Sequence, residues 1–374
     1  MTIAADTDAL LAGIRSWVEI ESYTTFTEGV NRMADKVAED YAACGAEIER
    51  IAGRDGYGDH LIVRAPWSAP SNAPGILILS HIDTVHPPGT LEWFPFRVDG
   101  DVAYGPGIYD MKGGAYCAMA AVADLAANGG APLPVTHMFV ADEEVGSPTS
   151  RDIIIALGKA AKYVLVTEPA REGGKIVTAR KGAVRYEVTT RGRASHAGSR
   201  HADGRSAIAE MAHTVLKFEE LTDYDRGLTC NVGLIRGGTG TNVVPAEAWI
   251  RVDIRIPDID AMQIVEEFLA ELTPEDPDVR IEVTGGLDRP PYERSEGIDY
   301  LFERARAIAA EIGWDLEQLK TGGGSDGNFT APLTPTLDGL GVDGRGGHTD
   351  YEQLYISSLE PRRRLIRGLL ETLT

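Results

Sequence analysis

Residues able to bind metals or move protons recur directly after short apolar runs in this sequence. His81-Ile82-Asp83 follows ILILS, Asp142-Glu143-Glu144 follows HMFVA, and Glu168 follows YVLVT. Asp110 lies between the first two, in the Gly-flanked segment GPGIYDMKGG, and His348 lies in GGHTDYE. Taken singly, each has a plain reading. A histidine at a strand end is usually a polar surface residue, Asp110 would serve as a helix N-cap, and an acidic pair such as Glu143-Glu144 usually sits in a solvated loop. Taken together they ask for a cation, because clustered carboxylates repel one another unless a positive charge neutralises them. Two imidazoles with several carboxylates and no thiolate suit Zn²⁺, and Co²⁺ or Mn²⁺ would suit the same donors. Five such donors are too many for one catalytic zinc, which takes about three protein ligands and keeps a position open. They fit two ions about 3.5–4 Å apart that share a bridging carboxylate. One acidic residue must then stay unligated, as a base for the water between the ions.

The elements that would position these groups follow from periodicity. Leu10, Ile14, Trp17 and Val18 have helical spacing within 6–20, and a second helix is expected over 28–44. Strands are expected at 46–52, 59–65, 75–80, 134–141 and 163–167, with helices at 111–127 and 149–158. GILILS is short, apolar throughout and bounded by turn residues, the pattern of a strand buried on both faces. Alternating strands and helices imply a mostly parallel α/β sheet between helices, whose ligands gather outside the carboxyl ends of the strands. Near residue 180 the pattern changes to period-2 strands at 183–190, 228–236, 243–256 and 279–285, with helices at 203–221 and 259–272. That order suits a small α+β domain with an antiparallel sheet. Helices at 297–312 and 361–373 flank the Gly-rich TGGGSDGNF. The expected organisation is a catalytic domain of residues 1–180 and 290–374, interrupted by an inserted domain of residues 181–289.

Composition narrows the class. The chain has 374 residues, and 36 Lys+Arg against 57 Asp+Glu gives a formal charge of −21. An acidic surface argues against nucleic-acid or anionic-membrane partners. Hydrophobic residues at 43% supply a full core without staples and exclude a disordered chain. Cys44, Cys117 and Cys230 are too sparse for a disulfide framework and read as small buried hydrophobes. The stretch MTIAADTDALLAGIRSWVEI has neither the basic start nor the continuous apolar run of a secretory leader. A reduced, cytoplasmic setting is expected. No GxGxxG or GxxxxGK[ST] follows a strand, which sets aside a nucleotide-binding α/β protein.

SHIDTV, YGPGIYDMKGG, ADEEVGS, TEPA, SHAG, TNVVPA, TGGGSD and GHTDYE occur in this order from residue 80 to 352. In these motifs the sequence resembles the dinuclear zinc metallopeptidase and deacylase family, glutamate carboxypeptidase most of all. Acetylornithine deacetylase and succinyl-diaminopimelate desuccinylase belong to the same family. The resemblance implies one zinc on His81, Asp110 and Glu168 and a second on Asp110, Glu144 and His348, with Asp110 bridging. It implies that Asp83 orients His81, that Glu143 is general base and later acid, and that the peptide after Asp110 is cis. The inserted domain would mediate dimerisation and act as a lid, with His196 of ASHAG crossing from the partner subunit to polarise the scissile carbonyl. Asn242 would lie near the substrate. Arg255 and Arg289 would hold a substrate carboxylate through guanidinium pairing, and the glycines around Ser325, Gly324 among them, would either line the pocket with free backbone N–H groups or form a plain turn. Met111 departs from the family pattern, where glutamate carboxypeptidase has an acidic residue. AREGGKIVTARKG after Glu168 also departs from it, while His86, Arg180 and Lys181 acquire no role.

The expected activity is hydrolysis of an amide bond by a water shared between the two ions, with Glu143 as base. The product would be a C-terminal amino acid, Glu or Asp, freed from an N-acyl or peptidyl partner. A deacetylase of N-acetylornithine type is the second enzyme reading, and a non-catalytic metal-binding scaffold the remote one.

Overall fold

The computed structural model describes residues 7–67 and 74–374. The first six residues, part of the stretch read for a leader, lie outside the described residues. Two compact units emerge. One takes in the described residues up to Ala179 with Glu293–Thr321 and Ser325–Thr374; the other is Arg180–Tyr292 with Gly322–Gly324.

The first unit is built on a six-stranded sheet. Its order is Glu47–Ile51, His60–Arg64, Val135–Val140, Ile76–His81, Tyr163–Val166, Thr336–Leu337. The first two strands pair antiparallel, and the last four run parallel. Period-2 geometry explains why ILIL is unbroken. Ile76 and Ile78 enter a core with Ile14, Trp17, Met119, Phe139 and Leu369, contributed in part by the helices Thr7–Val18, Gly113–Ala127 and Leu359–Thr372. Leu77 and Leu79 enter a separate core with Met138, Val140, Ile154, Val164 and Phe329, closed by the helix Arg151–Ala160. Each fully buried aliphatic side chain contributes about 1.5–3 kcal/mol through removal from water. Helices therefore cover both faces of this sheet, which leaves its strand ends as the place for polar groups. A smaller antiparallel sheet of Arg97–Asp99, Val102–Tyr104, Gly344–Arg345 and Gln353–Tyr355, absent from the sequence expectation, joins the chain before Asp110 to the chain around His348.

The second unit has a four-stranded antiparallel sheet, ordered Thr229–Gly237, Glu247–Ile256, Gly182–Arg191, Arg280–Arg289. Val184, Val188, Ile250 and Ile254 bury one face against Met211 and Phe218 of the helix Ala207–Glu219 and Val265 of Asp260–Glu271. Alternate residues such as Arg185, Glu187, Arg251 and Asp253 form the other face. The run read as one strand over 243–256 is divided. Val243–Val244 pairs with Ser195–His196, and the long strand begins only at Glu247. Pro245 lies at the break, since it lacks the N–H that a continuous ladder would need. Gly322–Gly324 group with this unit, where Arg180 Nη1 donates to the carbonyls of Gly323 (3.1 Å) and Gly324 (3.3 Å).

Candidate metal centre

Ile76–His81 lies between Val135–Val140 and Tyr163–Val166, and the three run parallel, so their carboxyl ends share one edge. His81 ends the first, Glu143 and Glu144 follow the second in a short 3₁₀ turn, and Glu168 follows the third. Asp110 arrives from the turn Ile108–Lys112 ahead of the helix Gly113–Ala127, and the Asp110–Met111 peptide is cis. His348 arrives from the loop between Gly344–Arg345 and Gln353–Tyr355, at φ 65°.

These six side chains converge. His81 Nε2 lies 3.2 Å from Asp110 Oδ1 and 3.8 Å from Glu168 Oε1. His348 Nε2 lies 3.4 Å from Asp110 Oδ2 and 3.1 Å from Glu144 Oε2. The two oxygens of Asp110 thus face two different donor sets. Glu143 shares a donor cluster with His81 and Glu168, and His81, Asp110 and Glu144 form another, each with ligand atoms within 4.8 Å of one another.

The surrounding groups fix this arrangement. The Asp83 carboxylate accepts the Glu143 N–H on Oδ1 (3.3 Å), and on Oδ2 the Glu144 N–H (3.2 Å) and the Thr24 hydroxyl (2.8 Å). Asp83 also meets His81, whose Nδ1 is 2.9 Å from the Asp83 carbonyl and 3.5 Å from its Oδ1. A hydrogen bond to that carbonyl sets the tautomer that leaves Nε2 as the ligand atom. Gly114 is needed for close approach, because a Cβ there would lie 2.3 Å from the Thr167 carbonyl, beside Glu168. Lys112 is fully buried and donates to the carbonyls of Trp17 (3.1 Å) and Ile20 (2.7 Å), and burial pushes its ammonium down to about 7.

One organising residue was not singled out from the sequence. Glu352 is fully buried, and its carboxylate accepts the backbone N–H groups of Gly107 (3.0 Å), Tyr109 (2.9 Å) and Asp110 (2.8 Å). His86 Nε2 lies 2.6 Å from its Oε2. Glu352 therefore holds the Asp110 turn, and His86 holds Glu352. Its place at the end of GHTDYE was the available signal.

The electrostatics are those of a site built for cations. Burial works to raise the Asp110 carboxyl, but hydrogen bonds with His348 and His81 hold it far below the carboxylate range. His348 is pushed up to about 11 by its hydrogen bonds to Asp110 and Glu144. Burial opposes charge on His81, yet Asp110 and Asp83 draw it well above the ordinary imidazole range. Burial raises Glu144, whose Oε1 is buried without a hydrogen-bond partner. An orphaned carboxylate oxygen in such a place is costly unless a cation meets it. The donor chemistry and this orphaned atom fit divalent metal ions.

The remaining sequence candidates lie elsewhere. His196 and Asn242 are neighbours in the second unit and both are exposed. His196 pairs with Val243 in register, and the Ala197 N–H donates to the Asn242 carbonyl at 2.9 Å. His196 Nδ1 accepts the N–H groups of Gly198 (3.1 Å) and Ser199 (3.2 Å), so a neutral ring carries its proton on Nε2. Arg255 and Arg289 both lie opposite Ala183, one on each side, in one row of the sheet. Arg289 is buried, whereas the Arg255 fork is engaged by Asp253, at 2.6 and 3.0 Å. Ser325 is fully buried, its N–H donates to Asn328 (2.9 Å) and its hydroxyl to Asp338 (2.5 Å), so internal acceptors engage both; the Gly324 carbonyl meets Arg180.

Comparison with known proteins agrees with this chemistry. Carboxypeptidase G2 of Pseudomonas sp. (strain RS-16) is 32% identical over 364 residues, covering 95% of this chain and 86% of that protein. Succinyl-diaminopimelate desuccinylase of Bordetella petrii is 29% identical over 331 residues, covering 82% and 85%. Aminopeptidase PepT from Bacillus cereus has the same fold, with a TM-score of 0.76 at 23% identity over 98% of both chains. Residues 77–372 match Peptidase family M20/M25/M40. The protein is a hydrolase, and the chain belongs to Peptidase family M20/M25/M40.

Proposed function

We propose that this protein is a dizinc amidohydrolase that releases a C-terminal acidic amino acid, Glu or Asp, from an N-acyl or short peptidyl partner. The observation that carries the reading is the Asp110 carboxylate, one oxygen turned to His81 and the other to His348. One zinc would be held by His81, Asp110 and Glu168 and the other by Asp110, Glu144 and His348; Co²⁺ or Mn²⁺ would suit the same donors. When bound, the metals polarise the scissile carbonyl and acidify the attacking water.

The chain's own groups do the rest. Glu143 stands among His81 and Glu168, its turn pinned by Asp83, and takes the water proton as general base. Glu143 then delivers that proton to the leaving amine nitrogen. Asp83 keeps both Glu143 and His81 in position. His196, with its proton on the exposed Nε2, donates to the carbonyl oxygen as negative charge develops there. We assign it to a partner subunit in a homodimer, with residues 181–289 as the dimerisation and lid domain and residues 1–180 and 290–374 as the catalytic domain. Arg289 meets the carboxylate of the released amino acid, and Asn242 lies beside His196 near the substrate. Arg255 serves less directly, through its pair with Asp253. The setting is cytoplasmic, and no described helix is long and apolar enough to cross a membrane.

Two measurements test this. Glu143→Ala should keep its full zinc content and lose about 10²–10⁴ in kcat; near-normal turnover would remove Glu143 as the base, and lost zinc would make it a ligand instead. Rates on N-acyl-glutamate, N-acyl-aspartate and N-acetylornithine should favour the acidic pair. Turnover of the basic substrate alone would contradict the arginine anchor.

A further inference from the structure

Arg171 stands three residues after Glu168, in the segment that departs from the family pattern. Its backbone is held on both sides. Ala170 is fully buried, accepts the Tyr109 hydroxyl on its carbonyl and donates to the Val342 carbonyl at 3.1 Å. Arg171 exchanges backbone hydrogen bonds with Lys175 at 3.0 and 2.7 Å. Between them Glu172, Gly173 and Gly174 turn the chain at φ 46°, 82° and 96°. The far side of this turn is tied down by Arg362, which is buried, donates to the Gly174 carbonyl and lies 4.3 Å from the Trp314 ring centroid.

The side chain on this fixed base is unsatisfied. Arg171 Nε is buried with no hydrogen-bond partner among the described residues. Arg363 in the same unit differs: it is buried and reaches Glu360 at 2.8 Å and Asp124 at 2.9 Å. Arg171 is also close to the metal centre. Tyr109, the residue before Asp110, donates its hydroxyl to the carbonyl of Ala170, the residue before Arg171. An anion from outside the protein would satisfy the buried Nε. A planar fork of N–H donors matches a carboxylate best.

We propose that Arg171 is a specificity-determining residue that binds a carboxylate of the substrate beside the metal centre. This rests on the amidohydrolase reading and sharpens its substrate class to amides carrying a carboxylate beyond the one on the α-carbon. That group has two chemical sources, the side chain of the released amino acid or the far end of a dicarboxylic acyl group such as succinyl.

The test compares zinc-loaded full-length protein with Arg171→Gln and Arg171→Lys on N-acetyl-alanine, N-acetyl-glutamate and N-succinyl-alanine. Arg171→Gln should lower kcat/KM about 10- to 100-fold, mainly through KM, on one of the two dicarboxylic substrates. N-acetyl-alanine should change less than about twofold, and Arg171→Lys should recover part of the loss. The substrate that suffers identifies the source of the carboxylate. Equal losses on all three, or none, overturn the proposal. Calorimetry with glutarate, which requires no turnover, should show at least about tenfold weaker binding to Arg171→Gln; unchanged binding also overturns it. Should wild type hydrolyse none of the amides yet bind glutarate through Arg171, the anion site stands and the amidohydrolase reading falls.

Discussion

In the parallel-sheet unit, His81, Asp110, Glu144 and Glu168 are set by partners within the same unit. Strand ends deliver three of them, Asp83 caps the turn of Glu143 and Glu144, and Glu352 clasps the turn that presents Asp110. In the antiparallel unit, His196 and Asn242 are exposed on a two-stranded ladder, and Arg255 already has an internal partner in Asp253. The first region gathers donors that suit divalent cations. The second holds solvent-exposed groups and an arginine paired within the unit. The difference is one of preorganisation: the groups of the first region are fixed by buried backbone, while His196 and Asn242 of the second are left to solvent.

The largest expected effect lies at the centre of the first region. Asp110→Ala removes the carboxylate common to both donor sets, at a cost of several kcal/mol of transition-state stabilisation. kcat/KM should fall at least about 10³-fold, with loss of zinc measured by elemental analysis. Retention of full metal content would show that the donor sets do not depend on this residue. His196→Ala comes next and should separate the regions: kcat down about 10²–10³-fold with zinc unchanged. A loss of zinc would place His196 among the ligands and dissolve the contrast.

Glu352→Gln addresses the residue that the sequence did not reveal. It leaves an amide N–H₂ among backbone donors that now point to a carboxylate, loosening the Asp110 turn. Metal affinity should weaken about 10- to 100-fold, as for other residues that orient a ligand, and a competition titration with a chelator would measure it. Unchanged affinity would mean that the turn stands without its clasp. The smallest effect is expected of Arg255→Ala. Its partly exposed pair with Asp253 is worth about 0–1 kcal/mol, so thermal stability and kcat/KM should barely move. A large rise in KM would return Arg255 to direct substrate contact.

What the sequence made legible follows the same division. GILILS was readable because both its faces are buried, so every residue had to be apolar. His81, Glu144 and Glu168 could be placed at one sheet edge because each lies at or within a few residues of the end of such a strand. Glu352 was not, because its work is to accept three N–H groups from residues more than 240 positions earlier, an arrangement created by the small sheet of Val102–Tyr104 and Gln353–Tyr355. That sheet is made of two- and three-residue strands, too short for a periodicity to register. Pro245 marked the division of the 243–256 run, yet the apolar alternation continued across it. The partners of Ser325 were not legible, because Asn328 and Asp338 reach it through the fold and no spacing in the Gly-rich segment announces them.

A pair of divalent ions sharing Asp110 requires a stoichiometry of two, so the number of ions bound per chain decides the matter. Metal-free protein titrated with zinc by calorimetry, with elemental analysis of the dialysed product and amide hydrolysis followed at each step, should saturate at two ions per chain and gain full turnover with the second. Saturation at a single ion with full turnover, or no tight binding at all, would contradict the account.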